Sequence, residues 1–219
     1  NVLKLMIEVQ ELRKSFDDVE VLKGITTSFE TGKVNLVIGQ SGSGKTVFLK
    51  CLLNVYEPTE GHILFDGRDI VGMGRIEKEK LRSEIGTVFQ GSALFDSMNV
   101  QDNIMFPLDM FTNLTFTEKK KRVKEVMGRV HLENAEKKFP SEISGGMQKR
   151  VGLARAMMLE PSILLYDEPT AGLDPYNTIK IQELIVRLKE KGVTSILVTH
   201  DIPTALNVCD KVAFLKNKI

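Results

Sequence analysis

Gly39-Gln40-Ser41-Gly42-Ser43-Gly44-Lys45-Thr46 sets three glycines ahead of a lysine and a threonine. Glycines at this spacing let the backbone curl so that successive N–H groups point inward at phosphate oxygens. The apolar run Val34–Ile38 precedes the loop and Val47-Phe48-Leu49 opens a helical pattern behind it. Strand, glycine-rich loop and helix together are the context a phosphate-binding loop requires. The helix N-terminus adds its positive end. Lys45 is expected to reach the β- and γ-phosphates, the Thr46 hydroxyl to coordinate Mg²⁺, and the loop from Gly39 to Val47 to bind a nucleotide.

Four further constellations carry chemistry. Ile163-Leu164-Leu165-Tyr166-Asp167-Glu168 is a buried-strand pattern ending in two acids. Side chains alternate along a strand, so Asp167 can face a metal ion while Glu168 addresses an attacking water. Ser144-Gly145-Gly146 at a helix start supplies a hydroxyl, a backbone open to close approach and a helix dipole, a second anion site. Gln90 ends the short strand pattern Thr87-Val88-Phe89, and His200 follows Val198-Thr199.

The elements that must position these residues alternate between strand and helix. Residues 2–30 read as strands: Ile7, Val9 and Leu12, a turn at Asp17-Asp18, then Val19–Leu22 and Ile25–Phe29 as separate runs. His62–Phe65 meets the hairpin signal Asp66-Gly67, and Arg75–Ile85 reads as helix. Strand signals then vanish between about 91 and 160. There Thr117 is placed to cap a helix with Val123, Val126, Met127 and Val130 on one face. A second helix follows Ser144, with Met147, Val151, Ala154 and Met158 on one face. Strand 162–166, helix 175–191, strand 193–199, helix 202–209 and strand 211–215 complete the chain. The expectation is one 219-residue domain: an α/β core with an N-terminal antiparallel β part and a helical subdomain at about 91–160.

A net charge of +1 over 219 residues gives no global pull toward nucleic acid or an anionic membrane. No apolar run approaches the ~18 residues of a membrane span, and Lys4 interrupts the few apolar residues near Asn1 that could suggest a signal peptide. Cys51 and Cys209 have no framework spacing and read as reduced core thiols, pointing to a cytosolic chain. The start at Asn1 and the end at Ile219, just past a strand pattern, suggest missing ends. Lys119, Lys120, Lys121, Arg122 and Lys124 cluster beside the apolar stripe and read as a solvated helix face, with lipid headgroups as the alternative contact.

Taken together, the phosphate loop, Gln90, Ser144-Gly145-Gly146, Asp167-Glu168, Asp174 and His200 resemble ATP-binding-cassette (ABC) ATPases in order and approximate spacing, over essentially the whole chain. The resemblance implies ATP and Mg²⁺ as cofactors, with Thr46, Gln90 and Asp167 at the metal. It implies Glu168, His200, Lys45 and Gln90 as catalytic residues and Phe16 as the aromatic stacked on adenine. It implies that Ser144, Gly145, Gly146 and Asp174 grip the nucleotide of an opposite subunit, so two chains pair head to tail as a homodimer. The signature departs from the usual form in Ile143 and Met147.

Phe89-Gln90-Gly91-Ser92-Ala93-Leu94-Phe95, Met98-Asn99-Val100, Asn103-Ile104, Pro107-Leu108 and Met147 are similar to the Mla/Mce-type phospholipid-trafficking ATPases of bacterial envelopes. That likeness implies an integral-membrane permease partner, an MCE-domain protein beside it, and a peripheral position on the cytoplasmic face of the inner membrane. Polar amino acid importers and division-associated ABC proteins that signal without transporting are the alternatives. A GTPase would need Asn-Lys-x-Asp, and Asn217-Lys218 is followed by Ile219; no coiled-coil heptads point to DNA work. The segment 91–106 carries Leu94, Phe95, Met98, Val100, Ile104, Met105 and Phe106; a helical subdomain can bury some of them, and the remainder are expected to line a groove for a permease helix.

Overall fold

The computed structural model describes residues 7–40 and 42–215. The N-terminal strands β1 (Ile7–Phe16) and β2 (Val19–Phe29) pair with β4 (Glu60–Phe65) and β5 (Arg68–Asp69) in an antiparallel sheet of order β2-β1-β4-β5. The two runs expected at Val19–Leu22 and Ile25–Phe29 form one strand. Leu12 pairs with Ile25 and Arg13 with Lys23, so Gly24 is the extra residue of a bulge that bends β2 without ending it.

A second sheet is parallel, with order β6-β7-β8-β3-β9, built from β3 (Val34–Ile38), β6 (Ile85–Val88), β7 (Ile163–Asp167), β8 (Thr194–Val198) and β9 (Lys211–Phe214). Both its faces are covered, as parallel sheets require. Ile163, Leu165, Ile196 and Val198 pack with α1 (Lys45–Leu52) and the antiparallel sheet. Leu164, Tyr166 and Leu197 face the other way, onto a core shared by α3 (Val100–Phe111), α4 (Phe116–Arg129), α5 (Gly145–Met157) and α6 (Pro175–Glu190). Helices α2 (Arg75–Glu84) and α7 (Ile202–Val208) complete the order.

From Val100 to Met157 every regular element is helical. The cap of α4 is Thr115 rather than Thr117. Glu118 stands three residues after Thr115, and the pair satisfies both free N–H groups reciprocally: Glu118 Oε2 accepts from Thr115 N at 2.7 Å, and Thr115 Oγ1 from Glu118 N at 3.4 Å. Val123, Val126, Met127 and Val130 are all buried. Two of the basic cluster are paired, Lys119 with Asp109 and Arg122 with Glu160, each at 2.8 Å. Among the described residues no helix is long and apolar enough to cross a membrane. Both cysteines are free, and burial pushes each thiol up to about 11.

Candidate functional site

Four neighbouring parallel strands deliver their C-terminal ends to one place. Strand β3 runs into the glycine loop, β7 into Asp167-Glu168, β8 into Thr199-His200, and β6 toward Gln90. In α/β sheets this carboxyl edge is where ligands bind. Gly44 caps α1 at φ +95°, and a Cβ there would stand 2.8 Å from Leu22 Cδ2 of the β1–β2 hairpin, so only glycine fits. Lys45 lies across the loop, its ammonium donating to the carbonyls of Gly39 (2.8 Å) and Gln40 (2.9 Å). The Ser43 hydroxyl is buried without a hydrogen-bond partner among the described residues. Ser41 lies outside the described residues.

Thr46 Oγ1, one residue along α1, sits 3.5 Å from Asp167 Oδ1. Burial pushes the Asp167 carboxyl above its usual range; the charge of Glu168 adds to this, while Thr46, Lys50 and Lys45 oppose it. Glu168 is buried and adopts φ +49°, a left-handed conformation that a residue with a side chain adopts at a cost of about 1–2 kcal/mol. Both oxygens of its carboxylate have partners. Oε1 lies 2.7 Å from His200 Nδ1, and Oε2 accepts from Thr199 Oγ1 at 2.9 Å and from the His200 backbone N–H at 3.4 Å. A carboxylate accepts here, so Nδ1 carries the proton of this contact. The imidazole remains 70% exposed.

These residues enclose a cleft of about 540 Å³ lined by Gly39, Gln40, Gly42, Gly44, Lys45, Thr46, Val47, Gln90, Asp167, Glu168 and His200, with Val21 from the hairpin. Phe16 does not line it. The ring sits at the hairpin end, edge-on to Tyr56 at 5.1 Å, with the Lys14 ammonium 4.9 Å over its face.

Ser144, Gly145, Gly146 and Asp174 do not line the cleft either. Ser144 caps α5, its hydroxyl accepting from Met147 N. Asp174 caps α6, accepting from Asn177 N at 3.0 Å and from Asn177 Nδ2 at 2.6 Å, which holds its carboxyl below the usual range. The Asn177 amide presses on Gly146, where an added Cβ would meet it at 2.3–2.8 Å. The two helix starts are thus locked together through Asn177.

A family model described as "ABC transporter" matches residues 22–171. The chain belongs to the ABC transporter family. The cassette is 43% identical over 213 residues to the protein named "Probable ribonucleotide transport ATP-binding protein mkl" of Mycobacterium tuberculosis, covering 97% of this chain and 59% of that one. It is 36% identical over 217 residues to "Methionine import ATP-binding protein MetN" of Clostridium tetani, covering 97% and 67%. The chain therefore spans about three fifths of the length of the first of these curated relatives. Among solved structures it superposes on the dimeric MJ0796 ABC transporter cassette with a TM-score of 0.90 at 31% identity, covering 97% of this chain and 95% of that one. The post-hydrolysis form of MJ0796 bound to ADP and Pi gives 0.89 at 30% identity, with the same coverage.

Four residues of the cassette's site escaped the sequence reading: Val21, Thr199, Asn177 and Lys149. Only Thr199 had a signal, a hydroxyl immediately before His200. A second cleft, of about 340 Å³, lies between β6, α3 and α5, and includes Phe89, Phe95, Phe106, Pro107 and Arg155 in its lining. Of the seven large apolar residues named in segment 91–106, Phe95 and Phe106 reach it. Val100, Ile104 and Met105 are the ones the helical subdomain buries, Leu94 packs on the core, and Met98 does not line the cleft.

Proposed function

We propose that the chain is the ATP-hydrolysing subunit of an ABC transporter. The observation that carries this reading is the single cleft in which Lys45, the Thr46–Asp167 pair and the Glu168–His200 pair meet. Family membership and the superposition on a cassette bound to ADP and Pi support it.

The residues fit a Mg-nucleotide. The unpartnered Ser43 hydroxyl and the N-terminus of α1 suit phosphate oxygens. Thr46, Asp167 and Gln90 present the oxygen donors a hard cation prefers. Mg²⁺ held there would neutralise charge on the phosphate oxygens. Lys45 brings a second positive charge to them. Glu168, oriented by Thr199 and His200, is the general base that takes a proton from the attacking water. His200 is largely exposed beside the cleft, where an Nε2–H would be a donor for a phosphate oxygen. Phe16, at the hairpin end beyond Val21, is the candidate for stacking on adenine.

Because Ser144, Gly145, Gly146 and Asp174 stand apart from the cleft, a complete site takes them from a second copy. A two-fold homodimer then makes both sites alike, and the dimeric MJ0796 cassette supports that arrangement. The aromatic cleft at Phe95 and Phe106 suits a short helix of a membrane permease, which would hold the chain at the cytoplasmic face of the inner membrane. The sequence likeness to Mla/Mce-type ATPases favours phospholipid as cargo and an MCE-domain protein in the assembly. Amino-acid import is the second reading, favoured by the likeness to a methionine import protein.

The test is ATP turnover by the chain with Mg²⁺. Lys45→Ala should lose nucleotide binding, whereas turnover of Lys45→Ala at the unmodified rate would overturn the reading. For cargo, the permease complex reconstituted in vesicles should move labelled phospholipid; stimulation only by an amino-acid-loaded binding protein would favour the second reading.

A further inference from the structure

Two of the three cations of helix α5, Lys149 and Arg155, end on backbone carbonyls of the segment that begins at Gln90. Lys149 is only 6% exposed. Its ammonium donates to the Gln90 carbonyl and, at 3.5 Å, to the Glu168 carbonyl. Six residues on, about 9 Å along the helix at 1.5 Å per residue, Arg155 donates to the carbonyls of Ser92 (3.0 Å) and Ala93 (2.9 Å). Its guanidinium lies 5.8 Å from the centre of the Phe95 ring.

Burying an ammonium costs several kcal/mol unless its donors are met. Burial lowers the Lys149 pKa, and the charges of Asp167 and Glu168 oppose that shift. An apolar side chain of similar length would fill the same space without that cost. What the cation adds is a hold on two peptide groups that nothing else in α5 reaches. One belongs to Gln90, in the cleft. The other belongs to Glu168, whose left-handed backbone is fixed on its N–H side by the Val198 carbonyl at 2.9 Å and on its carbonyl side by the Ala171 N–H at 3.2 Å together with Lys149 at 3.5 Å. Rotation of that peptide would swing the carboxylate away from Thr199 and His200. The same helix begins at Ser144, so one rigid element links the Ser144 end, the Gln90 and Glu168 backbones, and the wall of the Phe95 cleft.

We propose that Lys149 is a positioning residue for ATP hydrolysis, fixing the backbones of Gln90 and Glu168 to each other and to the helix that starts at Ser144. The proposal rests on reading the cleft as an ATP-hydrolysing site. It predicts that Lys149 governs the rate of hydrolysis but not nucleotide affinity.

The experiment compares the unmodified full chain with Lys149→Met and Lys149→Arg for binding of a fluorescent ATP analogue, kcat, KM and Tm. Lys149→Met should bind nucleotide within about threefold and keep its KM, while kcat falls on the order of 10²-fold, the scale of a misplaced catalytic group. Lys149→Arg, which keeps a cationic donor, should recover most of that loss. Should Lys149→Met fail to fold, Lys149→Gln, an uncharged donor of shorter reach, should lose kcat at an unchanged KM. A Met variant (or, in that case, a Gln variant) with unmodified kcat overturns the proposal, as does parallel loss of binding, kcat and Tm that Arg does not restore. An unmodified chain that turns over no ATP overturns the reading of the cleft itself.

Discussion

Glu168 Oε1 and His200 Nδ1 lie 2.7 Å apart, joining a buried carboxylate just after β7 to an exposed imidazole after β8. The contact leaves Glu168 oriented and His200 free to reach outward. Glu168→Gln keeps the shape and removes the base, so kcat should fall about 10²–10⁴-fold while nucleotide binding persists. Steady-state turnover alongside equilibrium binding checks this; near-normal turnover would remove Glu168 from its role.

Thr199 is fully buried, and its hydroxyl both donates to Glu168 Oε2 and accepts from Asp201 N at 3.0 Å. Thr199→Val should therefore leave an unpaired N–H and lose about 1–3 kcal/mol of stability. It should also lower kcat, with KM little changed. Thr199→Ser should restore both, as read by denaturant melts and initial rates.

Asp167 gives a pH signature of the opposite kind. Its carboxyl is raised in the folded chain, so the folded state binds more protons than the unfolded one between the ordinary Asp value of 3.8 and the raised value. Stability must then fall as pH rises through that window, and the ionised carboxylate destabilises the metal-free chain at neutral pH. Asp167→Asn should raise Tm at pH 7 without metal, by a few degrees at about 2–4 °C per kcal/mol, while abolishing turnover. A lowered Tm would show that the charge is compensated more fully than its surroundings indicate.

Phe95 stands in the wall of the second cleft, against Phe106 at 4.8 Å and under Arg155. Phe95→Asp should leave the isolated chain turning over ATP and abolish its co-purification with the permease. Co-purification at unmodified levels with normal cargo movement would rule out this surface as the dock.

The phosphate loop, the paired acids and the alternation of strand and helix were legible because each rests on local rules: glycine spacing, strand ends and hydrophobic period. Lys149 was not, because a lysine inside a helical pattern reads as a solvated position. Its burial depends on the carbonyls of Gln90 and Glu168, 59 and 19 residues away. Helix α3 was obscured by Pro107 within it, although Asn99 caps its start by accepting from Asp102 N. The placement of Phe16 outside the cleft lining, with Val21 inside it, is a matter of hairpin register that alternation alone does not fix.

On the proposed reading the nucleotide site is shared between two copies, since Lys45 lies in the cleft and Ser144 caps α5 outside its lining. Lys45→Ala and Ser144→Arg chains, assayed singly and then mixed, test it directly. Each should be inactive alone. The mixture should recover part of the ATPase rate, because a heterodimer joins the Lys45 of one chain to the Ser144 of the other in one intact site. A Ser144→Arg chain that hydrolyses ATP at the unmodified rate by itself would contradict the claim.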